Sequence, residues 1–306
     1  MTGDSLSTPV LFLVFKRPGT TRRVFEEIRK ARPARLWVAA DGPREGRPGE
    51  AELCRETREV IKVDWECDLR TLFRDRNMGV KAGIASAIDW FFESAEEGII
   101  LEDDCLPHPD FFTFAAELLA RYRDDPRVMH ISGDNFQFGR RRGEASYYFS
   151  RYAHCWGWAT WRRAWAFYEM DMGSFPEFAS RRGIEKIVRK SRAREYWMKV
   201  FGDAHAGRHN TWDYSWAYQV LSRGGLCAVP NANLVTNIGF GKGATHTFEP
   251  ANRLSGIPTE SLGPIIHPAV VAADEEADDF ELERVLLTPF RRRLLDRLGK
   301  LLKNRP

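Results

Sequence analysis

The chain has 306 residues, of which 43% are hydrophobic and 29% are charged, so a packed globular core is expected in one large domain or two small ones. A formal net charge of +3 is too small to indicate nucleic acid binding, and five cysteines without CxxC spacing argue against a zinc site or a disulfide framework. The short polar stretch 1–8 predicts neither a signal peptide nor a membrane span, so we expect a cytoplasmic protein.

The first half of the chain alternates predicted strands with predicted helices. Residues 10–15 form an apolar run typical of a buried strand, and Val24, Phe25 and Ile28 then share one face of a helix. The pattern continues with strands at 36–40, 69–73 and 98–101, and with helices at 50–63, 81–92 and from Pro109 onward. Such alternation is typical of a parallel sheet covered by helices.

The pattern changes after about residue 127. A tryptophan-rich stretch occupies 155–161 and a glycine-rich loop 239–246. Strands are predicted at 128–132, 147–150 and 226–229, and helices at 184–201 and 213–222. We therefore divide the chain into an α/β half (1–127), a mixed half of the same domain (128–265), an acidic linker (266–283) and a basic amphipathic helix (284–306).

Three consecutive carboxylates, Glu102, Asp103 and Asp104, follow the buried strand at 98–101 and precede the helix that starts at Pro109. Open α/β sheets bind their ligands at the carboxyl ends of their strands. Three adjacent like charges are costly there unless a cation or open water faces them. Hard oxygen ligands suit Mg²⁺ or Mn²⁺, so the pattern predicts a metal that holds a diphosphate. The alternative is a solvated acidic turn.

The end of the chain, 290–303, combines leucines at helical spacing with arginine and lysine at the other positions. A basic amphipathic helix of this kind can lie on an anionic membrane surface, which would make the protein peripheral on the inner face of the plasma membrane. The equal alternative is a helix docked on the domain with a solvated polar face.

The order of these motifs resembles that of the GT-A glycosyltransferases, and is most similar to the inverting, Mn²⁺-dependent N-acetylglucosaminyltransferase I type. The likeness rests first on 102–104 followed by the Pro-Asp-Phe-Phe segment 109–112, which resembles the metal-binding motif of that family. The further matching segments, in chain order, are Arg17 with Arg22 and Arg23, Asp41-Gly42, Lys81, 132–135, Gly157-Trp158 with Trp165, Trp212-Asp213 with Trp216, 227–230 and 241–246. The resemblance implies a GT-A (Rossmann-like), mostly parallel sheet flanked by helices, with a mixed α+β half on the acceptor side.

The resemblance also implies roles for single residues. Asp104 would bind the metal, and His246 is a candidate second ligand; Asp213 would be the catalytic base. The residues expected to bind the nucleotide sugar are Arg17, Asp41, Lys81, Asp103 and Lys242, and those expected at the acceptor are Asp134, Trp156 and Trp158. Each has an ordinary structural alternative: a helix cap for Asp213, turn residues for Arg17 and Asp41, solvated lysines, a loop histidine, and core tryptophans.

The expected function is a metal-dependent inverting glycosyltransferase that uses Mn²⁺ or Mg²⁺ and a UDP-sugar. Its acceptor would be a glycan or lipid-linked glycan in bacterial surface polysaccharide synthesis, with no nucleic acid partner. The segment 167–210 is longer than expected for that family, so the acceptor is not carried over. The alternatives are a sugar-nucleotide pyrophosphorylase, although the glycine cluster which that chemistry needs after the first strand is missing, a non-catalytic carbohydrate-binding or assembly protein, and a metal-dependent hydrolase.

Overall fold

The computed structural model describes residues 5–240 and 254–287. Lys242, His246 and most of the predicted C-terminal helix therefore lie outside the described residues. The strands are β1 Val10–Val14, β2 Arg35–Ala40, β3 Asp68–Phe73, β4 Glu97–Glu102, β5 Cys105–Pro107, β6 Val128–Ser132, β7 Tyr147–Ser150, β8 Trp158–Trp161, β9 Leu226–Pro230 and β10 Val235–Asn237. The α-helices are α1 Pro18–Ala31, α2 Glu50–Glu59, α3 Val80–Phe92, α4 Pro109–Arg121, α5 Arg162–Trp165, α6 Phe175–Ser180, α7 Ser191–His205, α8 Asp213–Ser222 and α9 Glu275–Glu281.

The described residues form an eight-stranded sheet in the order β3-β2-β1-β4-β8-β6-β9-β7. Strands β3, β2, β1 and β4 are parallel, whereas β8 is antiparallel to both β4 and β6, and β7 is antiparallel to β9. Strands β5 and β10 form a separate antiparallel pair beside this sheet. The predicted α/β fold class, with a mostly parallel first half and a mixed second half, is confirmed and is consistent with a GT-A (Rossmann-like) arrangement.

The central strands are buried on both faces, as their continuous apolar runs predicted. In β1, Val10 and Phe12 belong to the core on the side of α1 and α4, while Leu11 and Leu13 belong to the core on the side of α3 and α8. Because the side chains of a strand alternate between its two faces, one apolar run supplies both layers. The carboxyl ends of β1 to β4 are thereby fixed along one edge. Within the described residues, no helix is long and apolar enough to span a bilayer.

The helical insertion between β8 and β9 has a core of its own, in which Trp197 and Phe201 of α7 contact Tyr218 of α8 through a chain of ring contacts. The single helix predicted at 184–201 is wrong, because the structure has a short 3₁₀ turn at Gly183–Lys186 and starts α7 only at Ser191. The adjacent β-branched pair at 187–188 has low helix propensity, and burial of Val188 in this core anchors the break.

The acidic segment predicted as a linker contains α9, in which two carboxylates, those of Asp278 and Glu281, are buried. Asp278 accepts hydrogen bonds from Ser150 Oγ (2.6 Å) and from the Arg151 guanidinium (2.9 Å). Glu281 lies 3.0 Å from His154 Nε2 and is only 1% exposed. The expectation of a solvated linker is therefore wrong over α9, because buried carboxylates persist where cations and hydroxyls meet them. The domain boundaries themselves stay a prediction.

A first prediction concerns the packing of β4, the strand that leads into the acidic trio. A Cβ atom at Gly98 would overlap the ring of Phe91 and lie 2.8 Å from the carbonyl oxygen of Pro9. We expect Gly98→Ala to lower the free energy of unfolding by about 1–3 kcal/mol in urea titrations, because the overlap forces neighbouring groups apart. The control is Gly19→Ala in α1, where no atom lies within 4 Å, so the change should be neutral or stabilising. Equal losses in the two variants would contradict this reading.

A second prediction concerns the pH dependence of the α9 contact. Burial alone would lower the pKa of His154, but the charge of Glu281 and its hydrogen bond raise it from 6.5 to about 9. A histidine whose pKa is higher in the folded than in the unfolded protein stabilises the fold. This contribution is fully present below the pKa of the unfolded state and is lost as the pH rises through the pKa of the folded state. Burial also raises the pKa of Asp134 to about 7 and that of Asp278 to about 6. Ionisation of these two groups therefore destabilises the protein as the pH rises to about 7, below the range in which His154 loses its proton.

Chemical unfolding should therefore be compared between about pH 7.5 and pH 9.5, where the two carboxyl groups are already ionised. The wild-type chain should lose on the order of 1–3 kcal/mol more unfolding free energy over this interval than His154→Gln, whereas burial of the cysteine thiols raises their pKa and lowers stability at high pH equally in both proteins. Parallel pH profiles for the two proteins would show that the ion pair does not couple to folding.

Candidate active site

Two cavities adjoin at the carboxyl edge of the sheet. The sheet-end cavity, about 280 Å³, is lined by residues that follow or end β1, β2, β3 and β4. The Asp213 cavity, about 580 Å³, is lined by the start of α8 and by the chain around Gly239. The two share part of their lining, namely Arg17, Val80, Glu102 and Asn210. The acidic trio thus lies at the junction, as expected for a ligand site at this edge.

Strand β4 delivers the trio to this junction. Glu102 is the last residue of β4 and lines both cavities. Asp103 is buried and accepts a hydrogen bond from the backbone N–H of Phe15 (3.3 Å) and another from the Arg17 guanidinium. Asp104 lines the Asp213 cavity and lies 2.9 Å from Arg17 Nη1. Arg17 therefore bridges two of the three carboxylates, a contact that the sequence did not predict.

The charges at the junction perturb one another strongly. Burial raises the pKa of Asp103 to about 6, although Arg17 opposes the shift. Burial and then the charges of Asp104 and Asp103 raise the pKa of Glu102 well above its usual range. Burial would lower the pKa of Arg17, but the two aspartates hold it above its ordinary value, so the guanidinium stays charged. The cation that the trio was predicted to need is Arg17 in this structure.

The donor set at the junction suits a divalent cation with few protein ligands. Within the described residues, no three His, Cys, Asp or Glu side chains are arranged as a complete metal site. Glu102 and Asp104 nonetheless present carboxylates to the Asp213 cavity, and carboxylate oxygen is the ligand that Mg²⁺ and Mn²⁺ prefer. Such an ion usually keeps several positions for substrate phosphates and water. The residues therefore fit a metal held by one or two carboxylates.

The carboxylate of Asp41, in the turn that follows β2, accepts several hydrogen bonds. Its carboxylate lines the sheet-end cavity and accepts hydrogen bonds from Gly42 N (2.9 Å), Asn77 Nδ2 (2.9 Å) and Met78 N (3.0 Å). It thus joins the loops after β2 and β3, and its structural role is present alongside its place in the cavity wall. Lys81, expected near a diphosphate, is not among the described residues that line either cavity.

The sheet-end cavity is also lined by cationic side chains that sequence reasoning missed. Lys16 and Arg44 converge on the buried carboxylate of Glu50, at 2.5 Å and 2.6 Å. The hydrogen bond from Arg44 lowers the pKa of Glu50 to about 2. Arg74 donates to Ser86 Oγ (2.8 Å) from the same wall. Lys16 and Arg74 come within two residues of the ends of β1 and β3, so their position after a strand was the available signal. The wall carries both signs of charge, because Asp41, Glu102 and Asp103 line the same cavity.

Asp213 begins α8 and lines the Asp213 cavity together with Glu102 and Asp104. The hydroxyl of Thr211 donates a hydrogen bond to its carboxylate. Asp213 thus lies in the cavity, as predicted, and also at the start of a helix, which was the structural alternative. The helix dipole favours an anion at that position.

An aromatic cluster supports the start of α8. Trp212 stacks on Trp158, with ring centroids 5.4 Å apart, and Trp158 stacks on His130 at 5.0 Å. Burial lowers the pKa of His130 to about 3, so its ring is neutral. Its Nδ1 accepts from Trp216 Nε1 (3.1 Å), which leaves Nε2 to donate to the carbonyl oxygen of His154 (2.8 Å). This cluster fixes the backbone that carries Asp213.

The predicted acceptor residues fall into two groups. Trp156 lines the Asp213 cavity. Trp158 is fully buried in the aromatic cluster and Asp134 is 1% exposed, so the expectation that they contact an acceptor is wrong for this structure. The carboxylate oxygens of Asp134 have no hydrogen-bond partner among the described residues, and burial raises the pKa of this group to about 7. Lining residues that the sequence reasoning did not select are Arg208, His209, Asn210, Tyr214 and Asn237.

Comparisons with known proteins give partial likenesses. No protein-family model matches the sequence, and no match was found among curated proteins. A solved structure, the mannosyltransferase PcManGT from Pyrobaculum calidifontis in complex with GDP-Man and Mn²⁺, aligns with 71% of this chain and 69% of its own, at 15% identity and a TM-score of 0.40.

Two further structures align less well. HddC from Yersinia pseudotuberculosis covers 51% of this chain and 77% of its own, at 9% identity and a TM-score of 0.30. A cytidylyltransferase from Leptospira borgpetersenii serovar Hardjo-bovis covers 66% of this chain and 73% of its own, at 10% identity and a TM-score of 0.32. At these values neither the site nor the reaction of this chain is inferred from them.

Proposed function

We propose that the chain is a metal-dependent inverting glycosyltransferase that moves a sugar from a nucleotide-diphosphate sugar to a hydroxyl group of a glycan or lipid-linked glycan. One observation carries the proposal: Glu102, Asp104 and Asp213 line a common cavity, and that cavity adjoins a second one lined by Asp103 and by four cationic residues. A transferase needs a donor site, a site for the leaving diphosphate and a base beside an acceptor, and these three requirements match this arrangement.

The sheet-end cavity is the proposed donor site. Lys16, Arg44 and Arg74 put cationic groups in its wall, while Ala39 and Ile84 add apolar surface against which a nucleotide base can pack. The diphosphate would reach the junction, where Arg17 and Asp104 face the second cavity. UDP is the first nucleotide to test, because the sequence resembles a UDP-sugar enzyme. The setting that we propose is cell-surface polysaccharide synthesis, and the acceptor itself is not carried over from the resemblance.

The proposed metal is Mn²⁺ or Mg²⁺, held by Asp104 with Glu102 beside it and with Asp103 in support. When bound, it would neutralise the negative charge that develops on the departing diphosphate. Lys242 and His246, which follow Gly239 in the sequence, remain a predicted phosphate contact and a predicted second ligand.

Asp213 is the proposed base. It would take the proton of the acceptor hydroxyl as the oxygen attacks the anomeric carbon from the face opposite the diphosphate, which inverts that centre. Thr211 would hold the carboxylate in one orientation through its hydrogen bond. Trp156 and Tyr214 offer aromatic faces in the same cavity, and such faces suit the apolar side of a sugar ring.

The donor half of the proposal predicts metal-dependent nucleotide binding. Calorimetry with UDP and GDP should give at least about tenfold tighter binding with Mn²⁺ than without it, because the diphosphate and the carboxylates share the ion. Asp104→Asn should lose most of this gain, whereas Asp124→Asn, at an exposed site just after the C-terminal end of α4, should keep it.

Three other outcomes would contradict the transferase reading. Sugar binding without nucleotide would favour a carbohydrate-binding protein. Release of free sugar that is as fast without an acceptor as with one would favour a hydrolase. Consumption of pyrophosphate with a nucleotide sugar would favour a pyrophosphorylase.

The acceptor half predicts a separation of rate from donor binding. Asp213→Asn keeps the size of the side chain but removes the base, so kcat should fall about 10²–10⁴-fold while the donor Kd changes less than about threefold. Thr211→Val should lower kcat by a smaller factor, because it loosens the base without removing it. Near-wild-type transfer by folded Asp213→Asn, with a pH–rate profile like that of the parent, would assign the proton transfer to another group.

A further inference from the structure

The Arg17 guanidinium lies at the boundary between the two cavities and faces the acidic trio. Its Nη1 is 2.9 Å from Asp104 Oδ2, and its Nη2 contacts Asp103 Oδ1. The arginine side chain is 24% exposed, and the side chains of Asp103 and Asp104 are 4% and 15% exposed. Across residues 5–240 and 254–287, Arg17 is the one cationic side chain within ion-pair distance of either aspartate. Its contact with Asp104 occupies one of the two oxygens that this carboxylate could offer to a metal.

The space around this contact is tight. A Cβ atom at Gly239 would overlap the Asp104 carboxylate and lie 2.7 Å from Arg17 Nη1. The backbone at Gly239 therefore covers the ion pair closely, and the amide of Ile238 donates to the backbone carbonyl of Asp104 (2.8 Å) on the same side. A second cation on Asp104 would have to lie a few ångströms from the guanidinium, where two positive charges repel strongly. Arg17 and a divalent cation therefore compete for this carboxylate.

Arg17 has a second partner available once a donor is present. Its side chain also lines the sheet-end cavity, in which the proposed function puts the nucleotide diphosphate. A guanidinium binds phosphate through paired hydrogen bonds as readily as it binds carboxylate, and its charge is retained in either state. A modest rotation of this side chain would therefore exchange one anionic partner for another.

We propose that Arg17 is the resident counter-cation of the acidic trio and that it leaves Asp104 for the diphosphate when donor and metal bind. The inference rests on the proposed function and deepens it. It makes the chain without nucleotide a weak metal binder, because the guanidinium competes for Asp104. It also makes nucleotide and metal bind cooperatively, because the diphosphate removes the competitor.

The test is a titration of the full chain with Mn²⁺, with and without UDP or GDP. Binding is measured as the decrease of the electron paramagnetic resonance signal of free Mn²⁺. Arg17→Gln should bind Mn²⁺ at least about tenfold more tightly than the wild type without nucleotide, because a competing charge is gone. The gain in Mn²⁺ affinity that the nucleotide produces should shrink in this variant. Arg17→Lys keeps the charge without the forked contact, so its affinity should lie between the two.

Arg22→Gln is the matched control, since it makes the same change in net charge at an exposed position of α1. Its Mn²⁺ affinity should stay within about twofold of the wild type, because an exposed charge away from the trio is screened. Arg17→Gln also leaves Asp103 buried without its partner, so its melting temperature is measured in parallel. Mn²⁺ should raise that temperature more in Arg17→Gln than in the wild type, because the ion replaces the missing cation. If the variant does not fold, the comparison uses Arg17→Lys.

The outcomes separate this inference from the proposed function. Equal Mn²⁺ affinity in Arg17→Gln and the wild type without nucleotide, or weaker affinity in the variant, overturns the competition and leaves the transferase proposal standing. If neither protein binds Mn²⁺ even with nucleotide, the competition and the metal are both overturned, while nucleotide binding by calorimetry still reports on the donor site.

Discussion

The ion pairs between Arg17 and the two aspartates after β4 are the interaction on which the candidate site depends. Three adjacent carboxylates at the end of a fully buried strand would repel one another and resist desolvation. The guanidinium offsets that repulsion, and the turn after β1 carries it to the trio because β1 and β4 are hydrogen-bonded neighbours. Parallel pairing therefore puts the loops that leave the two strands side by side, and the charge balance of the site follows from the order of strands in the sheet.

The same edge organises the groups around this pair. Lys16 and Arg74 follow β1 and β3, while Asp41 follows β2 and ties its loop to Asn77. On the other side, α8 brings Asp213 to the cavity from a separate part of the chain. The cationic side chains of the sheet-end cavity and the carboxylate proposed as base thus come from separate parts of the chain.

Much of this arrangement could be predicted from the sequence, for reasons that are local. Apolar runs and helix periodicity indicate the elements of the first half, and the place of 102–104 after a buried strand predicts a charged site at the edge of the sheet. The choice of cation could not be predicted, because the contact of Arg17 with Asp103 joins residues 86 positions apart. The same holds for Trp158, whose place in the core follows from the insertion of β8 between β4 and β6. The acidic residues of α9 were misinterpreted because their partners, Arg151 and His154, lie far from them in the sequence.

The hydrogen bonds of His130 connect α9, near the C-terminal end of the described residues, to the candidate site. Glu281 holds His154, the carbonyl group of His154 accepts from His130, and His130 stacks on the tryptophan beneath Trp212, the residue before Asp213. This sequence of contacts is continuous and lies almost wholly in the interior, where packed groups transmit small displacements. A perturbation that loosens α9 would therefore also displace the carboxylate of Asp213 in the cavity.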